Sequence, residues 1–320
     1  ARVGRQLPLP PWLPPSRILG GFCVLRPIGT GAGGSVFVAR RAEARHEESA
    51  ETFALKVPAY TGAAAHTLSE EEFLRLFREE AGALLTLPGH KNLAGFVTFD
   101  AGAKPKPILV MELVQGPTLE RLLDKRAMSM PRALDILDGL AAGLEAMHGA
   151  GIGHLDVKPS NVILRYLDEM GPQTRSRQTP NVAPVLVDFG LAGRKVRPGC
   201  GSPYYGAPEV WDTASFGDGV DPRATDIYAF SCLTYEILTG TTLFSGDALP
   251  AIIAAHLTHE DGPESLRWLR RHSQAGALAD LLAMGLRRNP YKRIRLSDMR
   301  SALGEVGCSG LRALSWPLRA

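Results

Sequence analysis

The chain has 320 residues, 45% of them apolar and 22% charged, with a formal net charge of +3. Those proportions allow a sizeable core and exclude wholesale disorder. The charge is too small for this length to imply a nucleic-acid or membrane surface by itself, and no apolar run approaches the roughly 20 residues needed to cross a bilayer.

Residues 1–17 carry Pro8, Pro10, Pro11, Pro14 and Pro15 and read as an extended arm or linker rather than a packed element. From Phe22 to Arg40 and from Thr52 to Val57, short apolar bursts around glycine-rich turns predict antiparallel strands, with the charged stretch 41–51 an exposed hairpin loop. Phe73, Leu76, Phe77, Leu84 and Leu87 recur at helical spacing, and Ser69 followed by Glu72 is a capping-box start for that helix. Ile108–Met111 predicts a buried strand before the Gly116-Pro117 break, and Pro131 to Gly149 a long amphipathic helix. Between Leu164 and Val185 lies a polar stretch flanked by two short apolar strands, which reads as an enlarged, mobile hairpin loop, 165–184. From Thr225 onward the pattern is mostly helical. A strand-rich first third and a helix-rich remainder predict two unequal lobes, without internal repeats.

Cys23, Cys200, Cys232 and Cys308 lie far apart with no CxxC pair, which fits a reducing, cytoplasmic compartment better than a disulfide-stapled secreted domain. There is no signal-peptide pattern. The first residue is Ala rather than Met, so the chain reads as an excised piece, the cytoplasmic domain of a larger protein whose sensor or anchor would lie outside it.

Gly29, Gly31, Gly34 and Val36 fit G-x-G-x-x-G-x-V, a loop whose backbone can bend sharply and bring N–H groups to phosphate oxygens. Alone it is a weak signal, equally a flexible hairpin. One hairpin later comes Phe53-Ala54-Leu55-Lys56-Val57, where Lys56 would contact nucleotide phosphates and need a carboxylate partner. Glu80 on the following helix is the candidate, with Glu79 next door as the alternative. In His154-Leu155-Asp156-Val157-Lys158-Pro159-Ser160-Asn161, Asp156 can take the proton of an attacking hydroxyl, Lys158 can neutralise charge on a transferring phosphoryl, and Asn161 offers a neutral oxygen to magnesium. Asp188, at the end of the strand Val185-Leu186-Val187 and before Phe189-Gly190, would be the main magnesium ligand.

Taken in order, Gly29/Gly31/Gly34, Lys56, Glu80, His154 to Asn161, Asp188-Phe189-Gly190 and Ala207-Pro208-Glu209 resemble the eukaryotic-type protein kinase signature. The resemblance covers about residues 20 to 304. It implies an α+β, bilobal kinase-like fold with a small β-rich N-lobe and a larger helical C-lobe, and ATP with Mg2+ (or Mn2+) in the interlobe cleft. The chain then divides into the arm 1–17, a kinase domain 18–304 (N-lobe about 18–111, C-lobe about 117–304) and a tail 305–320. By the same resemblance Ile28 precedes the glycines at the nucleotide, Met111 is the gatekeeper, Glu112 and Val114 present backbone groups to adenine, and Val36, Ala54 and Ile163 sandwich the ring. Asp226 resembles the buried helix aspartate that anchors the catalytic loop, and Arg293 the arginine that pairs with Glu209.

Lys158-Pro159-Ser160 and Gly201-Ser202-Pro203-Tyr204-Tyr205 resemble the serine/threonine branch, with a protein Ser/Thr hydroxyl as acceptor. Ser202 would bridge Asp156 and Lys158; the alternative makes it an autophosphorylation site. Leu155 stands where many members carry an arginine that grips an activation-segment phosphate, and residues 191–201 contain no Ser, Thr or Tyr. Both features predict activity independent of phosphorylation in that segment. Arg194, Lys195 and Arg197 read as a solvated basic loop, or else as a site for an acidic substrate. Two other readings are a pseudokinase interaction module, against which the complete catalytic set argues, and a kinase domain of a larger enzyme acting on a peptide or small molecule. Neither a nucleic-acid partner nor an oligomeric state is legible in the pattern.

Overall fold

In the computed structural model, which describes residues 8–31, 34–59, 69–167, 181–217, 219–259, 263–272, 274–308 and 310–319, the strand-rich first third forms one antiparallel sheet. Its strands are β1 (Ile18–Leu19), β2 (Phe22–Gly31), β3 (Gly34–Arg41), β4 (Thr52–Val57), β5 (Phe96–Asp100) and β6 (Ile108–Glu112), in the order β1-β2-β3-β4-β6-β5. Between β4 and β5 runs helix α1 (Glu70–Leu85). These elements belong to one unit, Ala1–Thr86 with Ala94–Val114; the other is Leu87–Leu93 with Gln115–Ala320.

Side chains alternate across a strand, so register decides which residues share a face. Phe37 pairs with Leu55, and Leu55 with Val110, so these share one face with Ala39, Phe53 and Ile108 and form a buried core with Leu19, Phe22 and Val24. Val36 pairs with Lys56, and Ala54 lies between Val38 and Met111, which puts Val36, Ala54, Lys56 and Met111 together on the opposite face. The arm is not a free linker. Leu9, Trp12 and Leu13 pack against the first face, because three large apolar side chains among the prolines bury surface that the sheet otherwise leaves open. The helix forms where the spacing predicts, with Ser69 Oγ accepting from Glu72 N at 3.2 Å and Ser69 N donating to Glu72 Oε2 at 3.0 Å. It ends at Leu85 rather than Leu87, capped by Thr86.

The second unit is mainly helical. In chain order it contains α2 (Leu119–Asp124), α3 (Met130–Gly149), the hairpin β7 (Val162–Tyr166) and β8 (Val182–Leu186), α4 (Pro208–Trp211), α5 (Thr213–Phe216) and α6 (Pro222–Thr239). Then come α7 (Leu249–Thr258), α8 (Ser265–Arg271), α9 (Gly276–Gly285) and α10 (Leu296–Cys308). The architecture is α+β, a β-rich lobe and a helical lobe. Helix α6 is buried on nearly every side, its polar residues Asp226, Ser231 and Thr234 included. Asp221 caps its start and Gly240, at φ 71°, its end.

The hairpin loop differs from expectation, and the tail, delimited above only by its bounds, is packed. The loop read as 165–184 is shorter, because Arg165 and Tyr166 pair with Ala183 and Val182, and Leu167 N donates to Asn181 O at 3.0 Å. Its remainder, 168–180, lies outside the described residues, and the mobility expected of it with them. The tail packs: Trp316 Nε1 donates to Ile237 O at 2.7 Å, Leu318 N to Leu238 O at 2.9 Å, and Arg312 pairs with Asp135 at 2.7 Å. Among the described residues no helix is long and apolar enough to cross a membrane.

Candidate active site

The glycine hairpin joins β2 to β3, with Gly29 opposite Val36 and Gly31 opposite Gly34; Ala32 and Gly33 at its tip lie outside the described residues. A register shift between Pro27 and Gly29 leaves Ile28 in a bulge, half exposed. Gly34 has φ 137°, and a Cβ there would run into the Val57 carbonyl, so only glycine lets β3 leave the turn so close to β4. One residue back on β4, Lys56 Nζ lies 2.7 Å from Glu80 Oε1 with both side chains nearly sealed from solvent. Glu79 instead pairs with Arg75 at 2.9 Å on the exposed side of α1. Glu112 Oε2 accepts from Gly95 N at 3.1 Å, and Glu112 N donates to Gly95 O at 2.8 Å. Val114 is buried.

In the second unit a single buried carboxylate shapes the loop before β7. Asp226, on α6, accepts from His154 N and Leu155 N at 2.7 Å each, and its Oδ2 lies 2.9 Å from His148 Nε2. This holds Leu155 at φ 63°, a left-handed conformation costly for a branched side chain, and aims Asp156 back out of the turn. Asp156 then gathers donors. Ser202 Oγ donates to Oδ1 at 2.8 Å, Asn161 Nδ2 to Oδ2 at 2.8 Å, and Lys158 Nζ lies 2.7 Å from Oδ2. Lys158 Nζ also donates to Ser202 Oγ at 2.9 Å, so Ser202 bridges the two.

The Asn161 amide nitrogen is spent on Asp156, donating to its backbone oxygen at 2.9 Å as well as to Oδ2. Val187 N donates to the backbone oxygen of Asn161 at 3.0 Å, which extends the β7–β8 ladder by one pair, and Asp188 is the residue that follows. His154 Nε2 lies 3.2 Å from Val187 O, and its ring packs 5.3 Å from that of the buried Phe189. Asp188 has φ 59°. The Asn161 amide oxygen and the Asp188 carboxylate, both at this end of the β7–β8 hairpin, are donors that fit Mg2+, a hard cation that takes few protein oxygens and fills its shell with water and phosphate. Ile163 sits on β7, bridged to Thr118.

The segment after Asp188 is tied down through its backbone. Gly193 and Gly153 exchange two hydrogen bonds, at 2.9 and 3.0 Å, and Gly199 N donates to Val210 O at 2.8 Å. Arg197 donates to Gly190 O at 3.3 Å, and Trp211 Nε1 to Gly206 O at 3.0 Å. Leu155 is buried beside Ser202, Tyr205 and Val210. Below, Arg293 grips Glu209 with two bonds of 2.6 and 2.7 Å, Thr225 Oγ1 donates to Glu209 at 2.8 Å, and Arg293 also donates to three backbone carbonyls.

Further buried polar contacts support these loops, and the sequence did not point to them. His148 ends α3 and meets Asp226 only through the fold. Tyr205 OH donates to Glu236 Oε2 at 2.6 Å, and burial raises both the phenol and the carboxyl above their ordinary ranges. Tyr228 OH meets His256 Nδ1 at 2.9 Å and His259 Nε2 at 3.1 Å; burial holds each imidazole down to about 4.

These parts define a phosphotransferase-type arrangement, and the comparisons name its family. The protein kinase domain model matches residues 22–302, and the chain belongs to the protein kinase family. Among curated relatives, the serine/threonine-protein kinase Pkn1 of Myxococcus xanthus is 29% identical over 293 residues, 89% of this chain and 38% of the relative. PkaB of Streptomyces coelicolor, also a serine/threonine-protein kinase, is 33% identical over 247 residues, 74% of this chain and 54% of the relative. PknB of Mycobacterium tuberculosis, of the same description, is 30% identical over 244 residues, 74% and 36% respectively. The chain thus spans between 36% and 54% of the length of these relatives.

Proposed function

We propose that the chain is an active serine/threonine protein kinase domain that transfers the γ-phosphoryl of ATP to a protein hydroxyl. The observation that carries this reading is the environment of Asp156, whose carboxylate is oriented by Asn161, Lys158 and Ser202 at 2.7–2.8 Å. Asp156 accepts the proton of the attacking hydroxyl, and Lys158 balances charge on the phosphoryl in flight. Lys56, held by Glu80, contacts the α- and β-phosphates. Val36, Ala54 and Met111, on one sheet face, with Ile28, Gly29, Gly31, Gly34, Glu112 and Val114, are the nucleotide contacts of the β-rich unit, and Ile163 is the one that the helical unit carries. Asn161 and Asp188 would hold Mg2+, or Mn2+ with the same oxygen preference; when bound, the metal neutralises phosphate charge and aligns the transfer. A pseudokinase reading has no lost residue to rest on.

We infer further that activity needs no phosphate on residues 191–201. Leu155 is apolar and buried where a phosphate-gripping arginine would stand, and the segment's own backbone bonds hold it. We place the chain in a cytoplasmic setting, which an ATP-consuming reaction favours and with which free Cys23, Cys200 and Cys232 are compatible. Labelled ATP, Mg2+ and a generic protein, followed by mass spectrometry, should give phosphoserine or phosphothreonine. Label on tyrosine alone, or only on a small molecule, would contradict the acceptor assignment. Phosphatase-treated protein should keep its turnover within about twofold, since no charge-dependent clamp is lost; complete loss would show that a phosphate switch exists.

A further inference from the structure

The arm before β1 touches the nucleotide machinery from behind. Leu13 N donates to Pro10 O at 3.1 Å, Arg17 N to Pro14 O at 2.8 Å, and Val24 N to Arg17 O at 2.8 Å, so the arm is two turns hydrogen-bonded onto β2. Its prolines fix φ and lower the entropy lost on docking. Trp12 stands edge-on to Phe37, centroids 6.1 Å apart, and Phe37 is almost fully buried. Lys106 Nζ lies 5.3 Å over the same indole and donates to Pro58 O at 3.3 Å.

One contact ends on β3 and the other just past the end of β4, the two strands that carry the nucleotide residues. Phe37 follows Val36 on β3 and pairs with Leu55, whose neighbour is Lys56. Pro58 lies two residues beyond Lys56, and its Cα and the Val57 carbonyl form the wall against which Gly34 closes. An alternating strand cannot shift one face alone, so what fixes Phe37 and Pro58 also fixes Val36, Lys56 and Gly34.

We propose that residues 8–17 are a strap whose Trp12, through Phe37 and through Lys106 and the Pro58 carbonyl, positions the glycine hairpin and Lys56 for nucleotide. Trp12 and Lys106 are positioning residues; neither reaches the nucleotide face. The inference rests on the nucleotide-binding reading above.

The test uses the full chain and calorimetric titration with Mg2+-ATP, alongside KM for ATP, KM for the protein substrate and kcat. Trp12→Ala should weaken ATP binding by about three- to tenfold and raise KM for ATP to match, leaving kcat and the protein KM near wild type. Trp12→Phe should recover most of the loss. Lys106→Gln, at a partly exposed site that need not disturb the core, should reproduce it, and the double variant should lose less than the product of the singles. ATP binding unchanged in Lys106→Gln, or a Trp12→Ala effect on melting temperature alone, would overturn the strap and reduce the arm to packing. A wild-type chain that binds no ATP would overturn the nucleotide reading itself, and the strap with it.

Discussion

Glu79 and Glu80 are adjacent and chemically identical, yet one is solvated and the other is buried against Lys56. Helical spacing decides between them. Phe73, Phe77, Ala81 and Leu84 are the buried face of α1, and Glu80, three residues after Phe77, falls on it. That much was legible from periodicity. Burying an ion pair is costly, and removing one member takes away part of what offsets the other's lost hydration. Glu80→Gln should therefore lower stability by about 3 kcal/mol in denaturant unfolding, whereas Glu79→Gln should stay within about 0.5 kcal/mol. Equal losses would mean that Lys56 is balanced from elsewhere. His148 was illegible for the opposite reason. Nothing at the end of α3 distinguishes a histidine that meets Asp226, 78 residues later, from one facing solvent.

At the scale of elements, strong periodicity and turn chemistry made α1, α3 and the strands β2, β3, β4 and β6 readable. Strand β5 was not, because every residue from Phe96 to Asp100 is half-buried and the alternation that marks a strand is blunted. The arm misled through composition: five prolines outweighed Leu9, Trp12 and Leu13, whose partner Phe37 is distant in sequence. The end of α7 holds a different kind of hidden information. His256 and His259 both face Tyr228 and Phe244, and Arg288 and Arg293 add positive charge at His259. Their folded-state values of about 4 lie below the ordinary 6.5, so between these limits the unfolded chain binds protons that the fold refuses. Stability should thus fall as pH drops from about 6.5 toward about 4. Thermal melts at pH 7 and pH 5 should differ more for wild type than for His259→Gln. An identical acid shift in both would assign the sensitivity to carboxylates instead.

Across the whole molecule, the chemistry is divided between the units. The β-rich unit carries Lys56, Glu80 and the glycine hairpin, and the helical unit carries Asp156, Lys158, Asn161 and Asp188. The motifs were visible in order because phosphoryl transfer asks for few groups in fixed roles. Of what holds them, Asp226 and the Glu209–Arg293 pair were readable through the resemblance, whereas His148 and the packing of the tail, which act over long sequence separations, were not. The proposed role of Asp156 as the base makes Asp156→Asn the decisive variant. Beside wild type, with labelled ATP, Mg2+ and one protein substrate, the variant should keep ATP affinity and melting temperature while kcat falls by about a hundredfold or more. Equal transfer by the two proteins would contradict the assignment.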